Sequence, residues 1–410
     1  MFIPQKNESL LMFGKWTTRI GNILFDYVNS MIIVKGSPAA SFLLALYQSG
    51  ETIISVIFNL VGGVIADGGS KKGILIVTDI ISALICFVLS FSMFCELSAV
   101  SLILANILLA IIHSFNAPTY KSITRELVEK DRIELFFSIS NGGNEVIMVV
   151  GPILCACLVD VVGTRGALLI DSITFLLSAL SEIMLVPLKT HSSKKKLKSG
   201  MIRGIASGLR YLANEKRILM LVILSAMVNF FLAGYNLLLP FTDKMYNSVC
   251  DSFYSKALVA QAIGGILGSA FCASPKKKTD EQKLATFLGL TGAFLIFIPV
   301  SYSTKNIILC LVPFVGFNAS LSVFNIKFMT YTQMCVDPKF AGRVFSIIFT
   351  IAVLFMPVGS LAFSFLCNSV EISNYYFVGG GIVLLTLFFN IIGYIVVGKG
   401  KLINEYSSRN

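Results

Sequence analysis

The apolar residues of the chain are gathered in long blocks separated by short polar segments. Each block has roughly 18 to 28 residues, which at about 1.5 Å per residue lets a helix cross a hydrocarbon core of ~30 Å. The pattern therefore predicts an all-α integral membrane protein with twelve transmembrane helices. The predicted spans are residues 16–36, 39–66, 73–94, 97–119, 135–159, 164–187, 217–240, 253–274, 283–302, 306–329, 341–366 and 374–398.

The longest polar interruption, LKTHSSKKKLKSGMIRGIASGLRYLANEKR, falls between the sixth and seventh spans. It predicts an N-terminal six-helix bundle over 1–187, a basic cytoplasmic linker over 188–216 and a C-terminal six-helix bundle over 217–410. Helical spacing in the linker puts Ile202, Ile205, Leu209 and Leu212 on one face and Arg203 and Arg210 on another. This spacing favours a helix on the inner membrane surface, and a plain tether is the alternative.

The two predicted bundles share short sequence matches in one register. Gly62-Gly63 in the second span recurs as Gly264-Gly265 in the eighth, and Phe115-Asn116-Ala117 in the fourth recurs as Phe317-Asn318-Ala319 in the tenth. Both pairs are 202 residues apart, as are Arg125 and Lys327. We interpret this as a parallel duplication, which gives two pseudo-symmetric halves related by an axis along the membrane normal.

Composition and charge agree with a membrane protein. The chain is 55% hydrophobic and 13% charged, with a net charge of +11, whereas about a quarter of the residues in soluble domains are charged. If both termini face the cytoplasm, the outer loops hold few basic residues, namely Lys35, Arg165, Lys244, Lys256 and Lys305. The positive charge then reports orientation and contact with an anionic inner leaflet, and it requires no nucleic-acid partner.

Six acidic residues lie inside the predicted spans, all of them in the N-terminal half: Asp26, Glu51, Asp79, Glu145, Asp171 and Glu182. A charge at the bilayer centre costs about 2.5–3.5 kcal/mol on insertion scales, so such residues usually have a role. Asp26, Glu51 and Glu145 lie near mid-depth, where we expect no basic residue to pair with them. Burial then favours the neutral carboxyl, which can carry a proton through a transport cycle. The alternative is a structural acid hydrogen-bonded to a neighbouring helix.

Amide side chains at similar depth are candidates for a substrate cavity or for hydrogen bonds between helices. They are Asn22, Asn116, Asn229, Asn236, Gln261 and Asn318. The sequence shows no phosphate-binding loop, no HExxH and no GxSxG, and the Cys155-x-Cys157 pair has no matching pair of metal ligands. We therefore expect no enzyme activity, no metal and no cofactor, and any transport would draw on an ion gradient or another subunit.

One polar segment, GGVIADGGSKK after the second span, resembles the loop signature of the major facilitator superfamily. The matching positions are Gly63, Asp67, Lys71 and Lys72, and Gly68 stands where the family often has an arginine. Three further segments, GPILCACLVDVVGTRGALLIDSITFLLSA, FNAPTYKSITRELV and AGRVFSI, resemble the branch with macrolide-efflux proteins and enterobactin exporters. The resemblance covers roughly residues 10 to 400. The arginine that drug antiporters of the family commonly have in the fourth span is absent, and that span contains His113.

The resemblance implies an exporter of amphipathic small molecules in the cell membrane, driven by proton antiport and working by alternating access. Asp26, Glu145 and Glu51 are the expected proton-coupling residues, in that order. Asp67 is expected to gate the inner side by contacting Gly342 or Arg343, together with Gly63, Lys71 and Lys72. Asp171, Gly151 and Pro152 match family positions that we expect to be structural.

Two alternatives to this reading stay open. One is a siderophore or peptide exporter with the same fold, and the other is a non-transporting accessory membrane protein. We expect a monomer with both termini in the cytoplasm.

Overall fold

The computed structural model describes residues 5–36, 39–68, 70–92, 99–129, 132–186, 210, 212–273, 281–336, 341–366 and 370–407. Within these residues the chain forms eleven long helices, so the prediction of an all-α membrane fold is confirmed. The chain divides into two compact units, Met1–Ser199 and Gly200–Asn410. The predicted linker helix falls almost wholly on residues outside the described ranges.

The N-terminal unit contains five helices. They are α1 (Lys6–Gly36), α2 (Ala40–Gly68), α3 (Lys71–Ser92), α4 (Ala99–Leu127) and α5 (Ile133–Ile183). Helix α1 packs along α5, α2 along α4, and α3 against both α4 and α5. The first helix carries Lys15, Arg19 and Asp26, whereas the others are more uniformly apolar.

Helix α5 is a 51-residue segment that contains the fifth and sixth predicted spans. Its one non-helical residue is Gly163, with φ 70° and ψ 175°, which lies between those two spans. This backbone region is open only to glycine, because a side chain would clash with the neighbouring peptide groups. Gly163 therefore separates two helical arms, as the sequence pattern predicts.

The C-terminal unit contains six long helices. They are α6 (Lys216–Leu238), α7 (Phe253–Ala273), α8 (Glu281–Tyr302), α9 (Ile307–Cys335), α10 (Ala341–Leu366) and α11 (Asn374–Ser407), and a short 3₁₀ turn and one helical turn extend α6 to Met245. Helix α6 packs along α10, α7 along α9, and α8 against both α9 and α11. This pairing repeats that of the N-terminal unit, where the first arm of α5 corresponds to α10. The internal repeat thus extends from sequence to helix packing.

The two repeated sequence motifs meet in the C-terminal unit. A Cβ atom built on Gly264 of α7 would lie 2.2 Å from the carbonyl oxygen of Val315 on α9, and one built on Gly265 would lie 3.1 Å from Nδ2 of Asn318. Asn318 also donates a hydrogen bond to the carbonyl oxygen of Gln261 at 2.6 Å. Small residues allow such close backbone approach between membrane helices. In the C-terminal unit each motif therefore provides the contact surface for the other.

Nine segments within the described residues are long and apolar enough to cross a membrane, and Gly142–Ile183, at 42 residues, covers most of the fifth and sixth predicted spans. The eleventh predicted span is represented by a shorter apolar segment, Thr350–Leu366. Helix α1 is not among these segments. Large apolar side chains such as Val161, Phe377 and Leu384 are exposed on the units, as expected for surfaces that face lipid. The count of twelve spans stays a prediction.

Candidate coupling and substrate site

The predicted coupling residue Asp26 is exposed, although its neighbours Phe25 and Tyr27 are buried. Its Oδ1 accepts a hydrogen bond from the hydroxyl of Tyr47 on α2 at 2.9 Å. Tyr47 is buried, and its hydroxyl also lies 3.5 Å from Nδ2 of the buried Asn29. Asp26 is thus an exposed residue whose carboxyl group is held by a hydroxyl fixed in the interior of the unit.

Glu51 lies one helical turn after Tyr47 on α2 and is half-buried. It is close enough to Asp26 for the two carboxyl groups to interact electrostatically. Asn106 on α4 contacts Glu51 and donates a hydrogen bond to the carbonyl oxygen of Tyr47 at 3.1 Å. The structure thus brings two of the three predicted coupling acids together on α1 and α2, with α4 as support.

Arg19, near the start of the first predicted span, is a basic residue whose charge reaches two of these acids. It forms no ion pair with them among the described residues, so the absence of a basic partner at mid-depth stays a prediction. Arg19 lies seven residues before Asp26, which is two helical turns and hence the same face of α1. Its charge acts on both Asp26 and Glu51. The sequence contained the signal, because an i, i+7 spacing of opposite charges on a mostly apolar helix indicates a shared face.

Several predicted residues fall where side chains are not described. Glu145 lies on α5, Gly63 and Asp67 in the last turns of α2, and Gly342 and Arg343 at the start of α10. The coupling role of Glu145 and the gating contact of Asp67 therefore stay predictions.

The two lysines of the signature segment have partners inside the N-terminal unit. Lys71 forms an ion pair with Glu126 on α4. The Nζ of Lys72 donates to the carbonyl oxygens of Ile183 at 2.7 Å and Leu185 at 2.8 Å. The Ile183 carbonyl ends α5, where helix geometry leaves it without a partner in the helix, and the Leu185 carbonyl lies two residues beyond. Lys72 thus caps α5 from the first turn of α3.

Asp171 joins three helices of the unit. It is fully buried on α5, and its carboxylate accepts a hydrogen bond from the thiol of Cys86 on α3 at 3.2 Å. The Thr174 hydroxyl donates to the backbone carbonyl of Asp171 at 2.7 Å and lies 3.5 Å from Oδ1. A Cβ built on Gly21 of α1 would lie 2.7 Å from its Oδ1, so α1 approaches closely here. The other two residues expected to be structural, Gly151 and Pro152, are both buried on α5. Gly151 faces Ile23 of α1.

The amide candidates divide by their hydrogen bonds. Asn116 contacts Thr78 at 2.6 Å and Asp79 at 3.5 Å on α3, and Asn318 bonds α7 as described above. Gln261 donates to Ala257 of its own helix at 3.3 Å. The remaining three are half-buried, namely Asn22, Asn229 and Asn236. Asn116 and Asn318 thus bind helix to helix, and substrate contact stays a prediction for the whole set.

An ion pair fastens one end of the N-terminal unit outside the predicted spans. Arg132 donates from Nε and Nη2 to the two carboxylate oxygens of Glu8, each at 2.8 Å. Glu8 also accepts from the backbone N–H of Gln5 at 2.9 Å, which is the reciprocal half of a capping box at the start of α1. The Arg132 hydrogen bond holds the pKa of Glu8 below its ordinary value of 4.5.

Comparisons with known proteins agree with this architecture. The model of a family described as transmembrane secretion effector matches residues 12–404. Macrolide efflux protein A of Streptococcus pyogenes is 20% identical over 386 residues, which cover 92% of this chain and 94% of that protein. Macrolide efflux protein A of Enterococcus faecalis is 22% identical over 314 residues, which cover 72% of this chain and 92% of that protein.

Solved transporter structures share the fold. The nucleoside transporter NupG superposes with a TM-score of 0.69 at 14% identity, covering 94% of this chain and 98% of that chain. A D-xylose-proton symporter superposes with a TM-score of 0.71 at 12% identity, covering 94% and 96%. At such identities the likeness shows the fold alone.

Proposed function

Since this chain belongs to the transmembrane secretion effector family of the major facilitator superfamily, we propose that it exports amphipathic small molecules of the drug or macrolide type. The family and the fold are those of multi-pass membrane transporters. The names of the relatives from Streptococcus pyogenes and Enterococcus faecalis support the substrate class. The protein works in the cell membrane as a monomer with both termini in the cytoplasm, and it needs no cofactor and performs no catalysis.

The Asp26 carboxyl on α1, held by Tyr47 and close to Glu51 on α2, is the observation that carries the proposal of proton antiport. A proton carrier has to reach water in at least one state of the cycle, and Asp26 is exposed while Tyr47 holds it at 2.9 Å. The neighbouring charges act in opposite directions, since Glu51 disfavours a second negative charge and Arg19 favours it. Movement of Arg19 or of Glu51 relative to Asp26 then changes whether Asp26 holds its proton.

Coupling follows from this balance. When the cavity opens outward, water reaches Asp26 and a proton binds from the more acidic side. When it opens inward, the proton leaves and an amphipathic substrate enters from the inner leaflet. The two six-helix halves, 1–187 and 217–410, rock about the site, with the linker 188–216 between them. In this proposal Asp67 holds the inner side closed by contact with Gly342 or Arg343, and Gly63, Lys71 and Lys72 belong to the same gating segment.

The test is efflux of a radiolabelled macrolide from cells, with and without a proton uncoupler. Asp26→Asn combined with Glu145→Gln should abolish the uncoupler-sensitive part of efflux. The matched control is Asp160→Asn, which changes an exposed acid on the same unit and should leave efflux unchanged. The coupling assignment is wrong if the double variant exports the macrolide with unchanged rate and unchanged uncoupler sensitivity.

A siderophore or peptide exporter is the second candidate, because the same fold and the same polar residues serve either substrate. A susceptibility panel on a strain lacking the protein, set against siderophore release by the same strain, separates the two. A protein that moves neither substrate nor protons after reconstitution would instead be a non-transporting accessory protein.

A further inference from the structure

A second pair of acids lies buried inside the N-terminal unit, away from Asp26 and Glu51. Asp79 on α3 is 1% exposed and Glu182 near the end of α5 is 7% exposed. The two carboxyl groups are close enough to interact electrostatically. Helices α1, α3, α4 and α5 all contribute polar groups around them, so the pair lies in the interior of the unit and not at its surface.

The two acids have different surroundings. Oδ2 of Asp79 accepts from the hydroxyl of Thr18 at 3.3 Å, and its Oδ1 lies 3.5 Å from Nδ2 of Asn116. Ser178 also contacts Asp79, and its hydroxyl lies 2.9 Å from that of Thr18. The donors, Thr18 and Asn116, come from α1 and α4, whereas the Ser178 hydroxyl on α5 donates to the carbonyl oxygen of Gly14 at 3.1 Å. The two donors stabilise a negative charge on Asp79.

Glu182 lacks such support. Its Oε2 is buried and has no hydrogen-bond partner among the described residues. The side chain of Glu182 meets α1 through an apolar atom, since its Cγ would lie 3.8 Å from a Cβ built on Gly14. An ionised carboxylate with an unpaired buried oxygen is strongly disfavoured, whereas a carboxylic acid is neutral and carries its own donor hydrogen.

The surrounding charged and titratable groups leave this asymmetry in place. On α1, Lys15 lies over the ring of Tyr120 and donates to Ser140 at 3.0 Å. On α4, the hydroxyl of Tyr120 donates to the carbonyl oxygen of Leu11 at 3.3 Å. On α3, Lys72 is held by the carbonyls that end α5. Among the described side chains no cation forms an ion pair with Glu182 or Asp79.

We propose that Asp79 and Glu182 form a proton-binding site in which the pair holds one proton, resident on Glu182. Pairs of acids whose surroundings differ in this way divide into one charged and one neutral member. Exchange passes the Glu182 proton to a water molecule and takes the pair from one negative charge to two. In an antiporter this would be a second proton station on the same unit as Asp26, so its transport role rests on the function proposed above. The presence of a proton on Glu182 does not depend on that function.

Infrared difference spectroscopy on the purified full-length protein in lipid vesicles tests the site directly. A protonated carboxylic acid has a carbonyl band distinct from the bands of a carboxylate, and wild type minus Glu182→Gln should show loss of one such band at neutral pH. Asp79→Asn should keep the band with a shifted frequency, because a charged neighbour is replaced by a neutral amide. The exposed control Asp160→Asn should leave the band unchanged.

An unchanged spectrum in Glu182→Gln would overturn the proposal, and so would loss of the band in Asp79→Asn with retention in Glu182→Gln. If Glu182→Gln does not fold, Glu182→Asp keeps an acid at the position and should shift the band; an identical band in that variant overturns the proposal. Loss of the band in Glu182→Gln together with efflux that never responds to an uncoupler would leave the site standing and refute proton antiport.

Discussion

A single methyl group at Gly264 tests whether α7 and α9 are held together by direct backbone contact. The added Cβ of Gly264→Ala would lie 2.2 Å from the carbonyl oxygen of Val315 and 3.1 Å from the backbone nitrogen of Ala319. Ordinary C···O contacts begin at about 3.3 Å, so the two helices must separate locally by roughly 1 Å. Backbone atoms cannot move aside by changing a rotamer, so the strain spreads along both helices.

The magnitude follows from two opposing terms. Overpacking a well-packed interface costs about 1–3 kcal/mol, and the backbone contact places Gly264→Ala near the upper end. Alanine regains about 1 kcal/mol over glycine through helix propensity. The net loss is about 2 kcal/mol, which for a unit of this size lowers the melting temperature by roughly 4–8 °C.

Thermal unfolding of the detergent-solubilised protein is the assay, followed with a thiol-reactive fluorophore that reports exposure of buried Cys310 on α9. Gly380→Ala on α11 is the matched control, since nothing lies within 4 Å of its added Cβ. It should melt at or slightly above the wild-type temperature. Gly265→Ala should change little, because its Cβ meets only the end of the Asn318 side chain. If Gly264→Ala has the same melting temperature as Gly380→Ala, the packing argument is refuted.

Three further substitutions have defined outcomes. Gly163→Ala should lower stability by about 1–3 kcal/mol through backbone strain alone, because φ is 70° and no atom lies within 4 Å of the added Cβ; a wild-type melting curve would contradict this. Glu8→Gln should lower the melting temperature at neutral pH by removing the carboxylate partner of Arg132. The difference from wild type should shrink as the pH falls below 4.5, because the stability that comes from the lowered pKa of Glu8 is complete above 4.5 and is lost as the wild-type carboxylate takes up its proton. A pH-independent difference would contradict this. Tyr47→Phe should reduce uncoupler-sensitive efflux several-fold by removing the donor to Asp26, while stability changes by only about 1 kcal/mol; normal efflux would remove Tyr47 from the coupling site.

The helices could be predicted because a membrane interior requires long apolar blocks. The break at Gly163 also followed from the pattern, since two blocks of spanning length meet there. Asp26 and Glu51 stood out for the complementary reason, that a carboxyl group in an apolar block is costly. Each of these features depends only on a residue and its neighbours in sequence, so it can be predicted without knowing how the helices pack.

The partners of those residues could not be read in the same way. Tyr47 is an ordinary residue in an apolar helix, and its importance depends on which face of α2 meets α1. Gly264 and Asn318 were recognised as repeats, but the contact between their helices is set by packing and not by sequence spacing. Glu182 was placed near a span end, and only the surrounding helices show that its Oε2 is buried without a partner among the described residues.

The hydrogen bonds from Lys72 also determine how the chain tolerates being cut. Because its Nζ holds the carbonyls of Ile183 and Leu185, the last turn of α5 is finished by a residue of its own unit. Asn7 of α1 holds the same end, since its side chain bonds both the N–H and the carbonyl oxygen of Val186. A protease site or an affinity tag inserted after Val186 would leave these contacts intact, and the two halves could be produced as separate polypeptides to study their assembly in the membrane.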